Sequence, residues 1–263
     1  MVVHRGDMWL TINAVKAVGS VRAARSVAAY ASKRRRAAVD LHSLPLPTIT
    51  PRNANQELLL RKLDDDSLPV VIATGPAGSS KTLLASTVGL RRLLEGRVKK
   101  LIIARPVASV QGEDIGYLPG TAADKLAPTS RAVLDFIHQH VSPADVQQMI
   151  ADDRIELCSI GMVRGRTFED SWVIFDEASS AHVSAFKAVI TRIGMGSKLV
   201  ITGDEDQSDL RCENGLSDFV RRLGPDGVPG EIEHVKFTAA DVVRHPVIKT
   251  ILALYDDSSI GPR

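Results

Sequence analysis

The chain has 263 residues, 44% of them hydrophobic, which suffices for one large domain with a core of its own. Charged residues make up 24% and the net charge is only +2, arguing against wholesale disorder and against a uniform polycation. No apolar run approaches the roughly 18–20 residues that cross a bilayer, and the two cysteines, Cys158 and Cys212, have no Cys or His at ligand spacing, so the expectation is a soluble cytoplasmic chain without membrane partner, disulfide scaffold or zinc module.

Residues 1–43 read as a basic extension. The first forty hold eight Lys or Arg against two Asp and end near the run Lys33 to Arg36, while the remainder is mildly acidic. A solvated terminus, an arm for RNA or DNA, and a targeting segment all stay open for it. Residues 44–51 (Leu44-Pro45-Leu46-Pro47-Thr48-Ile49-Thr50-Pro51) have no helical period and read as a linker. Residues 52–258 then form the main domain. Short continuous apolar runs predict strands at Val70 to Ala73, Leu101 to Ala104, Arg154 to Cys158, Trp172 to Phe175, Lys198 to Ile201 and Ile232 to Phe237. Helical patterns occupy Thr82 to Leu94, Ser130 to His140, Val183 to Ile193, Leu216 to Leu223 and Val247 to Tyr255. Such alternation means an α/β fold, a parallel sheet with helices on both faces.

Gly75-Pro76-Ala77-Gly78-Ser79-Ser80-Lys81-Thr82 follows a strand and opens a helix, the context a phosphate-binding loop requires. Successive backbone N–H groups at a helix N-terminus make an anion concavity. Lys81 would lie along the β- and γ-phosphates of ATP, and the Thr82 hydroxyl would bind Mg²⁺. Such loops usually carry Gly before the Lys, where this chain has Ser80. If that backbone is left-handed, a non-Gly residue costs roughly 1–2 kcal/mol; if it is helical, Ser is harmless.

Asp176-Glu177 ends the apolar run Val173 to Phe175, so Asp176 can hold Mg²⁺ through water and Glu177 can orient and deprotonate the attacking water. Beyond the strand Lys198 to Thr202, Gln207 can touch both γ-phosphate and water. Arg192 and Arg244 are candidates for stabilising charge on the transferring phosphoryl group. His138 and His140 lie two apart on a helix and make poor joint ligands. No carboxylate cluster distinct from this site suggests nuclease chemistry.

Together these residues resemble the PhoH family of ATPases, which is related to the superfamily-one helicases. The resemblance runs from about Thr50 to Tyr255. Beyond the phosphate loop it rests on Pro51 to Gln56, Arg105-Pro106-Val107, Gly112 to Gly120, Arg164-Gly165-Arg166-Thr167, Asp176-Glu177-Ala178, Thr191-Arg192-Ile193-Gly194, Gly203-Asp204 with Gln207, and Asp241 to Pro246. Ser179, where the family usually has Gln, and Ser80 are the departures. The resemblance implies a RecA-like P-loop core, an adenine contact from Gln56, a bacterial or phage origin, and ATP-dependent, helicase-like handling of RNA or single-stranded DNA. One nucleotide-binding core fits after residue 50, so a trans-acting arginine must come from another subunit. That predicts a homo-oligomeric ring, a hexamer as the resemblance suggests. The loop from Val107 to Gly120 and the Arg164-Gly165-Arg166 turn are candidate nucleic-acid contacts, with packing against a neighbouring subunit the alternative for the loop. A nucleotide-gated binding or assembly protein with little turnover is the second functional reading. A small-molecule kinase is disfavoured, because Glu177 and Gln207 suit water activation.

Overall fold

The computed structural model describes residues 38–106, 130–207, 210, 212–224 and 227–243. The chain divides into two units after Ala38, and every element below belongs to the second, which begins at Val39. The loop 107–120, the helix expected at 247–255 and Arg244 lie outside the described residues.

Among the described residues six strands form one parallel sheet: β1 (Val70–Thr74), β2 (Lys100–Arg105), β3 (Ile155–Ser159), β4 (Ser171–Phe175), β5 (Lys198–Gly203) and β6 (Ile232–Lys236). Their order is β3-β2-β4-β5-β1-β6. The helices are α1 (Ala54–Asp64), α2 (Lys81–Leu94), α3 (Arg131–His138), α4 (Pro143–Ala151), α5 (Val183–Ile190) and α6 (Gly215–Leu223). The expected α/β class with a parallel sheet is what the chain adopts.

Successive strand residues point to opposite faces, so each strand feeds two cores. Val71, Ala73, Leu101, Ile103, Trp172 and Ile174 pack with apolar residues of α1 to α4, among them Leu59, Leu84, Val133 and Met149. Ile72, Ile102, Val173, Phe175 and Ile201 pack with Phe186 and Val189 of α5 and Leu216 of α6. Burial on both faces explains why the strands read as unbroken apolar runs rather than alternating ones.

Two helices have no counterpart among the sequence-based elements. α1 is polar on average, and its apolar residues Leu59 and Leu63 make only a narrow buried stripe. Its ends are well fixed. The Asn53 side chain accepts from the Gln56 N–H at 2.8 Å. At the other end the Lys198 ammonium donates to the carbonyls of Lys62, Leu63 and Asp65 at 2.9, 2.9 and 2.6 Å. A buried lysine thereby satisfies carbonyls that the helix end leaves without an internal donor. α4 begins with Ser142 as cap and proline in its first turn, a start worth about 1 kcal/mol.

Residues 44–51 form no helix or strand; Leu44 and Ile49 pack on the core and Pro47 is buried. α5 ends at Ile190, three residues early, because Ile193 forms a parallel bridge with Phe168. Gly89 lets α2 approach the sheet closely: a Cβ there would lie 2.5 Å from the Trp172 ring. That contact brings the N-terminus of α2 over the end of β4.

Candidate nucleotide-binding site

Every strand runs in the same direction, so the turns that follow β1, β4 and β5 gather at one edge of the sheet. The first of them is the phosphate loop. Gly75 turns out of β1 at φ +126°, and a Cβ there would meet the Phe237 carbonyl oxygen at 2.3 Å, so only glycine fits. Ser80, immediately before α2, has φ 72° and ψ 16°. It is left-handed, which answers the question its sequence raised: this backbone carries a cost of roughly 1–2 kcal/mol that glycine would not. The Ser80 side chain does not cap α2, leaving the amides of the first turn directed out of the helix as anion donors.

Lys81 is buried, and its ammonium folds over the loop, donating to the carbonyls of Gly75 and Pro76 at 2.6 and 2.9 Å and to Ser79 Oγ at 3.0 Å. Thr82 Oγ1 donates to Asp176 Oδ1 at 2.8 Å, and Thr202 Oγ1 from the end of β5 donates to the same oxygen at 2.6 Å. Asp176 is 4% exposed. Its other oxygen, Oδ2, faces Arg105 Nε at 3.4 Å, and Arg105 Nη2 pairs with Glu177 Oε1. Glu177 is itself left-handed, φ 52° and ψ 42°.

These elements surround a cavity of about 830 Å³. Ala77, Gly78, Ser80, Lys81, Thr82, Asp176, Glu177 and Gln207 all line it. Gln207 reaches it through a tight turn in which its N–H donates to the Asp204 carbonyl at 3.2 Å. Leu83, Phe136 of α3 and Val243 add apolar wall, and Asp204 and Asp206 add acidity. Gly75, Pro76 and Ser79 shape the loop from behind without lining the cavity. A hydroxyl beside one carboxylate is a donor set that suits Mg²⁺ when phosphate oxygens and water complete its octahedron. Among the described residues no three His, Cys, Asp or Glu side chains converge into a protein cage for a metal.

Gln56 does not line the cavity. It is 2% exposed, accepts from the Arg52 N–H at 2.9 Å and donates to the Ser79 carbonyl at 3.4 Å, bracing the loop from below. Arg192 is not brought to the cavity within one chain. It precedes β5, its carbonyl accepts from the Phe168 N–H ahead of β4, and its guanidinium donates to the Arg166 carbonyl at 3.3 Å and Thr191 Oγ1 at 3.1 Å. A turn before a parallel strand lies at the opposite sheet edge from a turn after it, about 16–20 Å away for strands of this length. The arrangement corrects any reading in which Arg192 acts in cis. Arg166 likewise differs from a free phosphate contact: it makes a two-pronged ion pair with Glu156 at 2.5 and 2.9 Å and lies over the Phe168 ring. Arg164 remains exposed.

The structure also assembles a polar chain that the sequence reading missed. His234 Nε2 lies 2.7 Å from Thr74 Oγ1, and Thr74 Oγ1 donates to Glu205 Oε1 at 2.9 Å. Burial lowers the His234 pKa from its ordinary value, against the pull of Glu205. The middle of β6, the end of β1 and the turn after β5 are thus joined beside the phosphate loop. The Gly203-Asp204 motif flagged this turn; the partner on β6 carried no signal, since strand order is not written in a linear pattern.

The chain matches the PhoH-like protein family over residues 48–256. A PhoH-like protein of Bacillus subtilis is 36% identical over 71% of this chain and 58% of its own length. One from Mycobacterium tuberculosis is 32% identical over 82% and 60% respectively. Protein PhoH2 of Mycolicibacterium smegmatis is 34% identical over 80% of this chain and 48% of its own. The chain therefore spans about half to three-fifths of the length of these relatives. Likeness to the Sulfolobus solfataricus SWI2/SNF2 ATPase core is slight, with TM-score 0.39 and 12% identity over 62% of this chain and 34% of that one. No helix among the described residues is long and apolar enough to cross a membrane.

Proposed function

This chain belongs to the PhoH-like protein family, and from that premise we propose that it binds and hydrolyses ATP, working on RNA or single-stranded DNA as a ring of identical subunits, six by the family resemblance. The observation that carries the reading is the 2.8 Å hydrogen bond from Thr82 to Asp176, which joins the phosphate loop to the carboxylate pair at one cavity.

The chemistry follows from the groups on that cavity. The loop amides and the N-terminal end of α2 favour the phosphate chain. Lys81 exchanges neutral carbonyl partners for anionic phosphate oxygens, so that its charge meets an opposite one. Mg²⁺, held by Thr82 and Asp176, would supply neutralising charge at the phosphates. Glu177 accepts a proton from the water that attacks the γ-phosphorus. A new P–O bond forms as the bridging P–O bond to the β-phosphate breaks, giving ADP and inorganic phosphate. Gln207 orients that water, and Gln56, buried beneath the loop, holds the loop's shape through the Ser79 carbonyl rather than touching the nucleotide. Arg192 serves the site of a neighbouring copy, since its own lies across the sheet; Arg244 is the other candidate for that role. Arg164, being exposed, suits a nucleic-acid phosphate.

The test is steady-state ATP hydrolysis by the wild type and Glu177→Gln, with and without single-stranded RNA, with molecular mass measured in the same buffer. Turnover lost in the variant, stimulated by RNA and arising from a multimer, supports the reading. The left-handed Ser80 favours a second reading, a nucleotide-gated assembly protein. Tight ATP binding without turnover in either protein would establish that instead.

A further inference from the structure

Arg105 has no role in the reading above, yet both carboxylates of the motif touch it. It is the last residue of β2, and its side chain is 11% exposed. The pairing of β2 with β4 sets Ala104 beside Phe175, and the Asp176 N–H donates to the Ala104 carbonyl at 3.0 Å. The sheet register therefore continues one step past β4 and sets Arg105 beside Asp176. Beyond that step the strand direction is abandoned, because Glu177 is left-handed. The turn swings its carboxylate back towards β2, where Arg105 Nη2 meets Glu177 Oε1 while Arg105 Nε faces Asp176 Oδ2.

The asymmetry of this contact is informative. Glu177 is 64% exposed, so packing limits its rotamers little and the ion pair with Arg105 restrains them. Arg105 is nearly buried and anchored in a strand with a neighbour on either side. An exposed pair contributes little to stability, but a rigid guanidinium can fix the direction of a mobile carboxylate. Asp176 is already held on its other oxygen by Thr82 and Thr202, so the freedom that Arg105 removes is chiefly that of Glu177.

We propose that Arg105 is a positioning residue for hydrolysis: it aims Glu177 at the attacking water and acts through that carboxylate rather than on the nucleotide. This inference rests on Glu177 being the base, as argued above. It predicts a particular pattern of coupling, since a group that works only through another loses its effect when the other is gone.

The experiment is a double-mutant cycle on the full chain with Arg105→Gln, Glu177→Gln and the combined variant, together with Arg105→Lys. The kcat and KM for ATP are measured for each, and Tm controls for folding. Arg105→Gln should lower kcat by about tenfold or more with KM for ATP nearly unchanged. In the Glu177→Gln background the same change should alter kcat by less than about twofold. Arg105→Lys, which keeps the charge but not the fork, should recover only part of the loss. Losses that multiply in the double variant, an unchanged or raised kcat in Arg105→Gln, or a fall in kcat that merely follows a fall in Tm would each overturn the proposal. A wild type without hydrolysis would instead overturn the reading on which it rests.

Discussion

Replacing Ser80 with glycine isolates the strain stored in the phosphate loop. At φ 72° and ψ 16° the Cβ of Ser80 is set against its own backbone, a cost of roughly 1–2 kcal/mol for an L-residue. Glycine removes that cost but adds about 0.4–1 kcal/mol of freedom to the unfolded chain. The net expectation is a gain of about 0.5–1 kcal/mol. Ser80 lines the cavity rather than the core, so its removal leaves no packing void to subtract. For a domain of this size each kcal/mol moves Tm by about 2–4 °C, so Ser80→Gly should melt about 1–4 °C higher. Ser80→Ala keeps the Cβ and hence the strain, and serves as the matched control. Urea unfolding of the three proteins, followed by circular dichroism, gives the difference directly. If Ser80→Gly is no more stable than Ser80→Ala, the left-handed backbone is not costing what its geometry implies, and the argument fails.

Two further outcomes follow from buried titratable groups. Burial, with Glu156 adding to it, pushes the Cys158 thiol up to about 11, whereas Cys212 is exposed. The folded chain treated with iodoacetamide at pH 8 should therefore gain one adduct, at Cys212, and peptide mass spectrometry would find Cys158 unmodified until urea is added. Burial also lowers the His234 pKa below its ordinary 6.5. The unfolded chain then binds this proton more readily than the folded one, so stability present above pH 6.5 is lost as the pH falls towards the folded value. Between pH 7.5 and 5.5 the urea midpoint of the wild type should drop by more than that of His234→Gln, and equal drops would refute the assignment.

Much of the fold was readable because the sheet is buried on both sides, so its strands announce themselves as apolar runs. Helices α1 and α4 were harder, since each buries a narrow stripe. Their caps, Asn53 with Gln56 three residues on and Ser142 before Pro143, were the better signal. The loop, the carboxylate pair and Gln207 were legible because each sits just past a strand end. What the sequence concealed was lateral order. That Arg105 faces Glu177, or that His234 reaches Glu205 through Thr74, depends on which strands are neighbours. The remoteness of Arg192 depends on something simpler, the sheet edge to which a turn before β5 must belong.

The phosphate loop is held by its far neighbours in the chain. Phe237 closes over Gly75, its N–H donates to the Thr74 carbonyl at 2.7 Å, and the Val243 N–H donates to the Gly78 carbonyl at 3.1 Å. β1 itself pairs only with β5 and β6, the last strands described. On the ribosome, then, the loop emerges more than 150 residues before the last of these supports, and lacks them until residue 243 has cleared the exit tunnel. A growing chain thereby does not present the loop's anion concavity on a half-made sheet.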